Sequence, residues 1–319
     1  MTDRNRMLDG MMGLVAGDAL GCPVQFLSRE QIKNRGPVTG MEGHGAYDMP
    51  AGTWTDDSSM ALCELASIND KNKIDLDDIM ERFADWKMNG AYTPFGAAFD
   101  EGITCSEAIY KYRKYRDVKT CGRTGEHANG NGALMRILPV CLFYIRLKDR
   151  MCISDEEAIQ SIHEVTALTH NHLRSYIASG LYYFMAKAII YNTANIPLKE
   201  CLQKGLDDGF KFYRQNSDNS AELMHYVSLF DINEFACVSA DDICGSGYVV
   251  DSLEAAVWCL ITTDTFKECL LKAVNLGDDT DTVAAIAGGL AGLFYGYENI
   301  PEEWLAVIQR REWIEDMCK

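Results

Sequence analysis

Two short acidic clusters carry the most specific chemistry in this sequence. Thr55-Asp56-Asp57 stands just before a helical run that begins at Ser58, and Asp278-Asp279-Thr280-Asp281-Thr282 stands just before an Ala- and Gly-rich helical run. Read alone, either cluster is a helix start, because Asp and Thr accept first-turn N–H groups and are worth about 1 kcal/mol there. A cap needs only one or two acceptors. Several carboxylates side by side repel one another unless a cation neutralises them, and hard carboxylate and hydroxyl oxygens select Mg²⁺ or Mn²⁺ over Zn²⁺.

Other residue groupings are less specific. Asn129-Gly130-Asn131-Gly132 leads into Ala133-Leu134-Met135-Arg136, so it reads either as a plain tight turn or as backbone amides and a helix start offered to an anion or a sugar. His170 and His172 flank Asn171 between two helical runs and read as structural residues or as ligands. Several competing motifs fail on spacing. An EF-hand from Asp279 would need Gly and Glu where Ala284 and Leu290 stand, and His163-Glu164 would need a second His where Ala167 stands. Neither a phosphate-binding G-x-x-x-x-G-K-[ST] loop nor a G-x-S-x-G nucleophile elbow occurs.

The elements that must position these groups are helices. Apolar residues recur at three- and four-residue spacing, as in Ile159-Ile162-Val165, and predict helices over 4–20, 58–69, 75–88, 101–114, 133–147, 155–168, 172–191, 198–213, 220–228, 250–262, 265–275, 280–295 and 302–312. No βαβ alternation or internal repeat interrupts the pattern, so a single all-α domain over 1–319 is expected. The polar, Gly-rich interruptions sit at helix edges, where loops carry function on a rigid scaffold.

Composition narrows the partners. Of 319 residues 47% are hydrophobic and 24% charged, which suits a large globular core. The formal charge of -17 opposes binding to nucleic acid or anionic lipid, and no apolar stretch reaches the ~18 residues a membrane span needs. The apolar run at residues 11–17 contains two Gly and ends at Asp18, a poor signal peptide. None of the 12 Cys stands in a C-x₂-C spacing, so free thiols and a cytoplasmic, monomeric protein are expected.

Taken together, six ordered blocks resemble the ADP-ribosylglycohydrolase family, and within it the bacterial dinitrogenase-reductase-activating type. They are Gly17-Asp18-Ala19-Leu20-Gly21, Thr55-Asp56-Asp57, Gly130 to Arg136, Thr169-His170-Asn171-His172, Thr263-Asp264-Thr265-Phe266 and Gly277 to Thr282. The resemblance implies an orthogonal multi-helix bundle with a dinuclear metal cleft, and hydrolysis of the bond from ribose C1 of ADP-ribose to an acceptor, ADP-ribosyl-arginine on protein or a small adduct. It implies two divalent cations, Mg²⁺ or Mn²⁺, on Thr55, Asp56, Asp57, Asp279, Asp281 and Thr282. It further implies catalytic roles for Asp100 and Glu126, in that order, and substrate contacts from Gln25, Gly130, Asn131, Gly132, His170 and Tyr248.

Two positions depart from the family pattern. Gln25 stands where the family has Glu, offering a carbonyl oxygen but no charge, and Ile103 stands where Asn is frequent. These departures are what favours a rival reading, an ADP-ribose-binding regulatory or immunity protein with little turnover. A metal-dependent phosphohydrolase on a nucleotide diphosphate is compatible with the Asp clusters but not with the ordered blocks.

Overall fold

The helical periodicity is realised along the whole chain. The structure, a computed structural model, describes residues 4–319. Eleven helices of nine residues or more build it: α1 (Arg6–Gly21), α2 (Asp56–Lys71), α3 (Leu76–Asn89), α4 (Ile103–Tyr115), α5 (Leu138–Met151), α6 (Asp155–Ala167), α7 (Leu173–Ile190), α8 (Leu198–Tyr213), α9 (Val249–Ile261), α10 (Phe266–Val274) and α11 (Thr280–Tyr295). Among the described residues there is no sheet, only three isolated bridges. One apolar core runs through all of these helices, and no single helix is long and apolar enough to cross a membrane. The twelve cysteines are all free, and nine of them are buried.

At the centre α1 and α11 run antiparallel with their backbones in contact. Gly13, Gly17 and Gly21 repeat every four residues and therefore share one face of α1. A Cβ on Gly13 would lie 2.2 Å from Gly288 O, one on Gly17 2.0 Å from Ala284 O, and one on Gly21 2.4 Å from Asp281 Cα. Only residues without side chains permit this approach. It brings Asp18 and the start of α11 to the same end of the core.

Predicted and observed elements differ where polar demands override periodicity. The predicted 133–147 helix is a 3₁₀ turn at Leu134–Arg136 followed by α5, because Pro139 has no N–H and belongs in a helix's first turn. The predicted 220–228 helix divides into Ser220–Leu223 and a 3₁₀ stretch Met224–Phe230, and 302–312 divides into Glu302–Leu305 and Arg311–Met317. A seven-residue helix, Arg29–Arg35, was not predicted; it starts with a full Ser28/Gln31 capping box but buries only Ile32, too little for an apolar stripe.

Candidate metal centre and substrate cleft

The two acidic clusters meet. Thr282 Oγ1 lies 3.4 Å and Thr55 Oγ1 3.2 Å from Asp57 Oδ2, which joins the start of α11 to the start of α2. Neither cluster caps its own helix: Thr55 and Asp279 occupy the N-cap positions without a side-chain capping bond. The start of α2 is capped instead from α1. Asp18 accepts from Thr55 N (2.9 Å) and Oγ1 (3.0 Å) through Oδ1, and from Ser58 N (3.0 Å) and Oγ (2.5 Å) through Oδ2. Burial pushes the Asp18 carboxyl up to about 6 in spite of these donors. A single imported carboxylate thus satisfies the helix start and leaves Asp56 and Asp57 unused by it.

What remains is a set of acceptors without donors. Asp57 Oδ1, Asp281 Oδ2, Asp100 Oδ2 and Gln25 Oε1 are all buried and have no hydrogen-bond partner. Asp56, Asp57 and Asp281 are held well above the usual carboxylate range, first by burial and then by the charges of neighbouring carboxylates. Buried acceptors facing one another are costly unless a positive charge stands among them. No Lys or Arg lines the adjoining cleft. The donor set, all oxygen and anionic, fits a hard divalent cation.

The cleft has a volume of about 1060 Å³, and Asp56, Asp279 and Thr282 line its floor. Asp100 stands beside Asp281, its Oδ1 accepting from Tyr47 OH at 2.5 Å and from Gln25 Nε2 at 3.2 Å. Burial comes first among the causes that raise its carboxyl. Three non-glycine residues of the wall adopt left-handed backbone conformations: Phe26 (φ 67°), Asp100 (φ 64°) and Asp278 (φ 63°). Phe26 N donates to Asp278 O and Asp278 N to Leu27 O, both at 2.8 Å, so two strained turns hold each other in place.

The Gly/Asn turn forms the opposite wall. Asn131 donates through Nδ2 to Asp279 Oδ2 at 2.7 Å and to Ser252 Oγ at 2.9 Å, tying the turn to both α11 and α9. Gly130 and Gly132 lie against the His170 ring, where a Cβ would come within 3.3 and 3.0 Å of it. Arg136 donates to Thr169 Oγ1 at 2.9 Å, and that hydroxyl is hydrogen-bonded to His170 Nδ1, 2.8 Å away. Burial lowers the imidazole to about 3, so the ring is neutral, with Nε2 beside the glycines. Arg136 itself is fully buried, paired with the equally buried Glu64 and lying 4.7 Å over the Phe83 ring, which makes it the support of the turn.

Of the sequence-predicted site residues, Gln25, Asp56, Asp100, Gly130, Asn131, Gly132, His170, Asp279 and Thr282 line the cleft. Thr55, Asp57 and Asp281 are buried behind them. Two fall elsewhere. Tyr248 pairs with Gly130 through its backbone and faces the Arg174 guanidinium at 5.8 Å, without lining the cleft. Glu126, with 68% of its side chain exposed, pairs with Arg174 Nη2 at 3.2 Å and does not line the cleft. Glu126, His172 and Glu222 bring ligand atoms within 4.8 Å of one another, yet Arg174, 2.7 Å from Glu222, already supplies the cationic charge there. Sequence reasoning missed Tyr47, and it missed the capping role of Asp18, for which the signal was a lone carboxylate inside an otherwise apolar helix.

An all-helical scaffold that gathers two helix-start Asp clusters beneath a large cleft is the architecture of a protein that holds a hard cation beside a ligand site. The family model for ADP-ribosylglycohydrolase matches residues 1–319, and the chain belongs to that family. It is 31% identical to the ADP-ribosylarginine hydrolase Tri1 of Serratia proteamaculans over 97% of this chain and 76% of that protein. It is 30% identical to the ADP-ribosyl-[dinitrogen reductase] glycohydrolase of Rhodospirillum rubrum over 96% of this chain and 91% of that one. A solved structure titled ADP-ribosylglycohydrolase-related protein complex superimposes with a TM-score of 0.76 at 28% identity, covering 100% of this chain and 97% of that one.

Proposed function

We propose that this enzyme removes ADP-ribose from arginine side chains of modified proteins, using two divalent cations, Mg²⁺ or Mn²⁺, held by Thr55, Asp56, Asp57, Asp279, Asp281 and Thr282. The observation that carries the metal assignment is the group of unpartnered buried oxygens where the two clusters meet. The arginine assignment rests on the relatives named as ADP-ribosylarginine hydrolases, at 31% and 28% identity. When bound, the cations would orient the ribose hydroxyls and make the attacking water more acidic.

The chain's own residues do the rest. Hydrolysis passes through an oxocarbenium-like state: water adds to C1 as the C1–N bond breaks, the guanidinium of the substrate departs with the bond's electron pair as neutral guanidine, and the proton released from the water restores its charge. Asp100 Oδ2, free of donors at the cleft wall, is the base that takes the proton from that water, while Tyr47 and Gln25 hold Oδ1. His170 Nε2 and the backbone of the turn Gly130 to Gly132 contact the diphosphate and ribose. The wall contains no Lys or Arg, so backbone amides and the metal centre must compensate the diphosphate charge. Glu126 takes no part in proton transfer in this scheme, because its carboxylate is spent on Arg174.

Mass spectrometry of an ADP-ribosyl-arginine peptide incubated with the chain and Mg²⁺ tests the reading. Free ADP-ribose and intact arginine support it. AMP as product would make the chain a phosphohydrolase, and absence of product with retained binding would make it an ADP-ribose-binding protein, the outcome that Gln25 and Ile103 favour.

A further inference from the structure

The strongest basic run in this acidic chain lies beside the cleft. Between residues 111 and 123 stand Lys111, Arg113, Lys114, Arg116, Lys119 and Arg123 against a single acid, Asp117, in a protein of net charge -17. All six cations are exposed, on the second half of α4 and the loop that follows. Two are neutralised, Arg116 by Glu81 and Arg123 by Glu107 at 3.5 Å. Lys111, Arg113, Lys114 and Lys119 form no ion pair among the described residues. Lys111 donates to Thr120 O and Arg113 to Met88 Sδ, Lys114 lies 4.8 Å over the Tyr115 ring, and the one acid of the run, Asp117, acts on Lys111 and Lys119 through space. Glu107, Lys111, Lys119, Thr120, Arg123 and Asn171 are among the residues lining a cavity of about 510 Å³ at this face.

This cavity and the substrate cleft share a wall. The first turn of α4, Ile103 to Cys105, lines the cleft, and Lys111 follows six residues after Cys105, ~9 Å along the helix at ~1.5 Å per residue. On the other side His170 faces the cleft and Asn171 the basic cavity. Arg123 is fastened to that segment, its N–H donating to Thr169 O and its carbonyl accepting from Asn171 N, both at 2.9 Å.

We propose that the basic face of α4 and the 116–124 loop docks an acidic stretch of the ADP-ribosylated protein itself, so that the modified side chain and its chain neighbours are held together. The proposal rests on the arginine-directed reading above. Four cations outside any ion pair on a chain that otherwise repels anions give the local charge complementarity a polyanionic segment needs. The cations begin at Lys111, ~9 Å along α4 from the turn that lines the cleft, a distance that an extended segment of about three residues spans, and they continue into the loop. A long nucleic acid would leave such a footprint and meet the acidic remainder of the surface. The acidic residues therefore lie within about three to eight positions of the modified arginine.

The test uses the full chain with Mg²⁺, three substrates and one variant. The substrates are ADP-ribosyl-arginine, an ADP-ribosylated peptide with four Glu flanking the modified arginine, and the same peptide with Gln in their place. The acidic peptide should show a KM about tenfold below the Gln peptide, the difference vanishing in ~0.5 M NaCl, where the Debye length falls to a few Å. In Lys111→Gln/Lys114→Gln/Lys119→Gln the advantage should be lost while turnover of ADP-ribosyl-arginine is unchanged. Equal KM values for the two peptides in the wild type, or a variant that loses the small substrate equally, would overturn the proposal. So would a single-stranded 20-nucleotide DNA that displaces the acidic peptide at lower concentration than a second peptide does. If no arginine-linked substrate is cleaved, the arginine reading fails separately. The surface is then judged by fluorescence anisotropy of the unmodified Glu peptide, which must bind the wild type at least fivefold more tightly than the variant.

Discussion

Asp18 Oδ2 accepts from both the backbone N–H and the hydroxyl of Ser58, at 3.0 and 2.5 Å, and through these bonds α1 caps α2. The consequence is chemical. A helix start normally consumes the carboxylate or hydroxyl at its own N-cap. Here that duty falls on a residue 40 positions upstream, and Thr55, Asp56 and Asp57 keep their oxygens for a ligand.

Metal binding and stability should therefore trade places at Asp281. Its carboxylate is fully buried among other carboxylates, and Oδ2 has no partner. Asp281→Asn removes one repulsive charge, so the metal-free variant should melt higher than the metal-free wild type. Addition of Mg²⁺ or Mn²⁺ at about 100 times Kd should stabilise the wild type by about 2.7 kcal/mol, roughly 5–10 °C, and the variant much less. Calorimetry of both proteins with and without cation decides it. A lower metal-free Tm in the variant, or an equal rise with cation, would contradict the assignment.

Gln25 makes a sharper case because its two polar atoms do different things. Nε2 donates to Asp100 Oδ1 at 3.2 Å, while Oε1 is buried and unpartnered. Gln25→Glu replaces that donor by a second acceptor facing Asp100 and adds a charge to the cluster. Without cation the variant should be less stable than the wild type. With cation the weaker of two binding steps in isothermal titration should move to roughly tenfold lower concentration, since ligand charge sets the affinity of an oxygen site. An unchanged titration would mean that Oε1 faces no cation.

How much of this was legible in the sequence depends on how local each interaction is. The acidic clusters, the Gly/Asn turn and His170 were visible because each is a short run of unusual residues at a helix edge. Tyr47 was not, since it sits in a stretch without periodicity and reaches Asp100 across 53 positions. The ion pair of Glu126 was hidden for a related reason: a lone carboxylate near a glycine turn gives no sign that Arg174, 48 residues on, will pair with it. The seam between α1 and α11 was written plainly in Gly13, Gly17 and Gly21, but only the partner helix shows what the glycines admit.

That seam gives a mechanical prediction. A Cβ on Gly21 would fall 2.4 Å from Asp281 N and Cα, which are backbone atoms that cannot rotate away. Gly21→Ala should cost about 3 kcal/mol or more, the upper range for overpacking, and should weaken cation binding by displacing Asp281. Gly10→Ala is the control on the same helix. Its nearest neighbours are side-chain methyls of Leu138, Leu293 and Leu142 at 3.1, 3.2 and 3.3 Å, which can shift. The gain of about 1 kcal/mol in helix propensity should leave that variant within ~1 kcal/mol of wild type and with unaltered metal affinity. Urea unfolding and metal titration of the pair separate a general packing defect from one aimed at the site.

The last prediction concerns acid stability and lies away from the cleft. His163 stacks on Tyr176 and Tyr213 at ring separations of 5.0 and 5.8 Å, and its Nε2 lies 2.8 Å from Tyr213 OH. The Tyr213 hydroxyl donates to Tyr176 O at 3.1 Å, so it accepts from the imidazole, which must be neutral with its proton on Nε2. Gly180 makes the arrangement possible, because a Cβ there would fall 1.8 Å from that hydroxyl oxygen. Burial lowers the ring from 6.5 to about 4. The folded chain consequently binds a proton less readily than the unfolded chain. Its contribution to stability is complete above pH ~6.5 and is lost as pH falls toward 4, a change of about 3 kcal/mol. In His163→Gln, which retains an N–H donor, the drop in unfolding free energy between pH 7 and pH 4 should be smaller than in the wild type by about that amount. Using the difference between the two proteins cancels the carboxylates, which titrate alike in both. Parallel urea curves at the two pH values would show it, and identical pH dependence in both proteins would mean that His163 takes up its proton in the folded state without penalty.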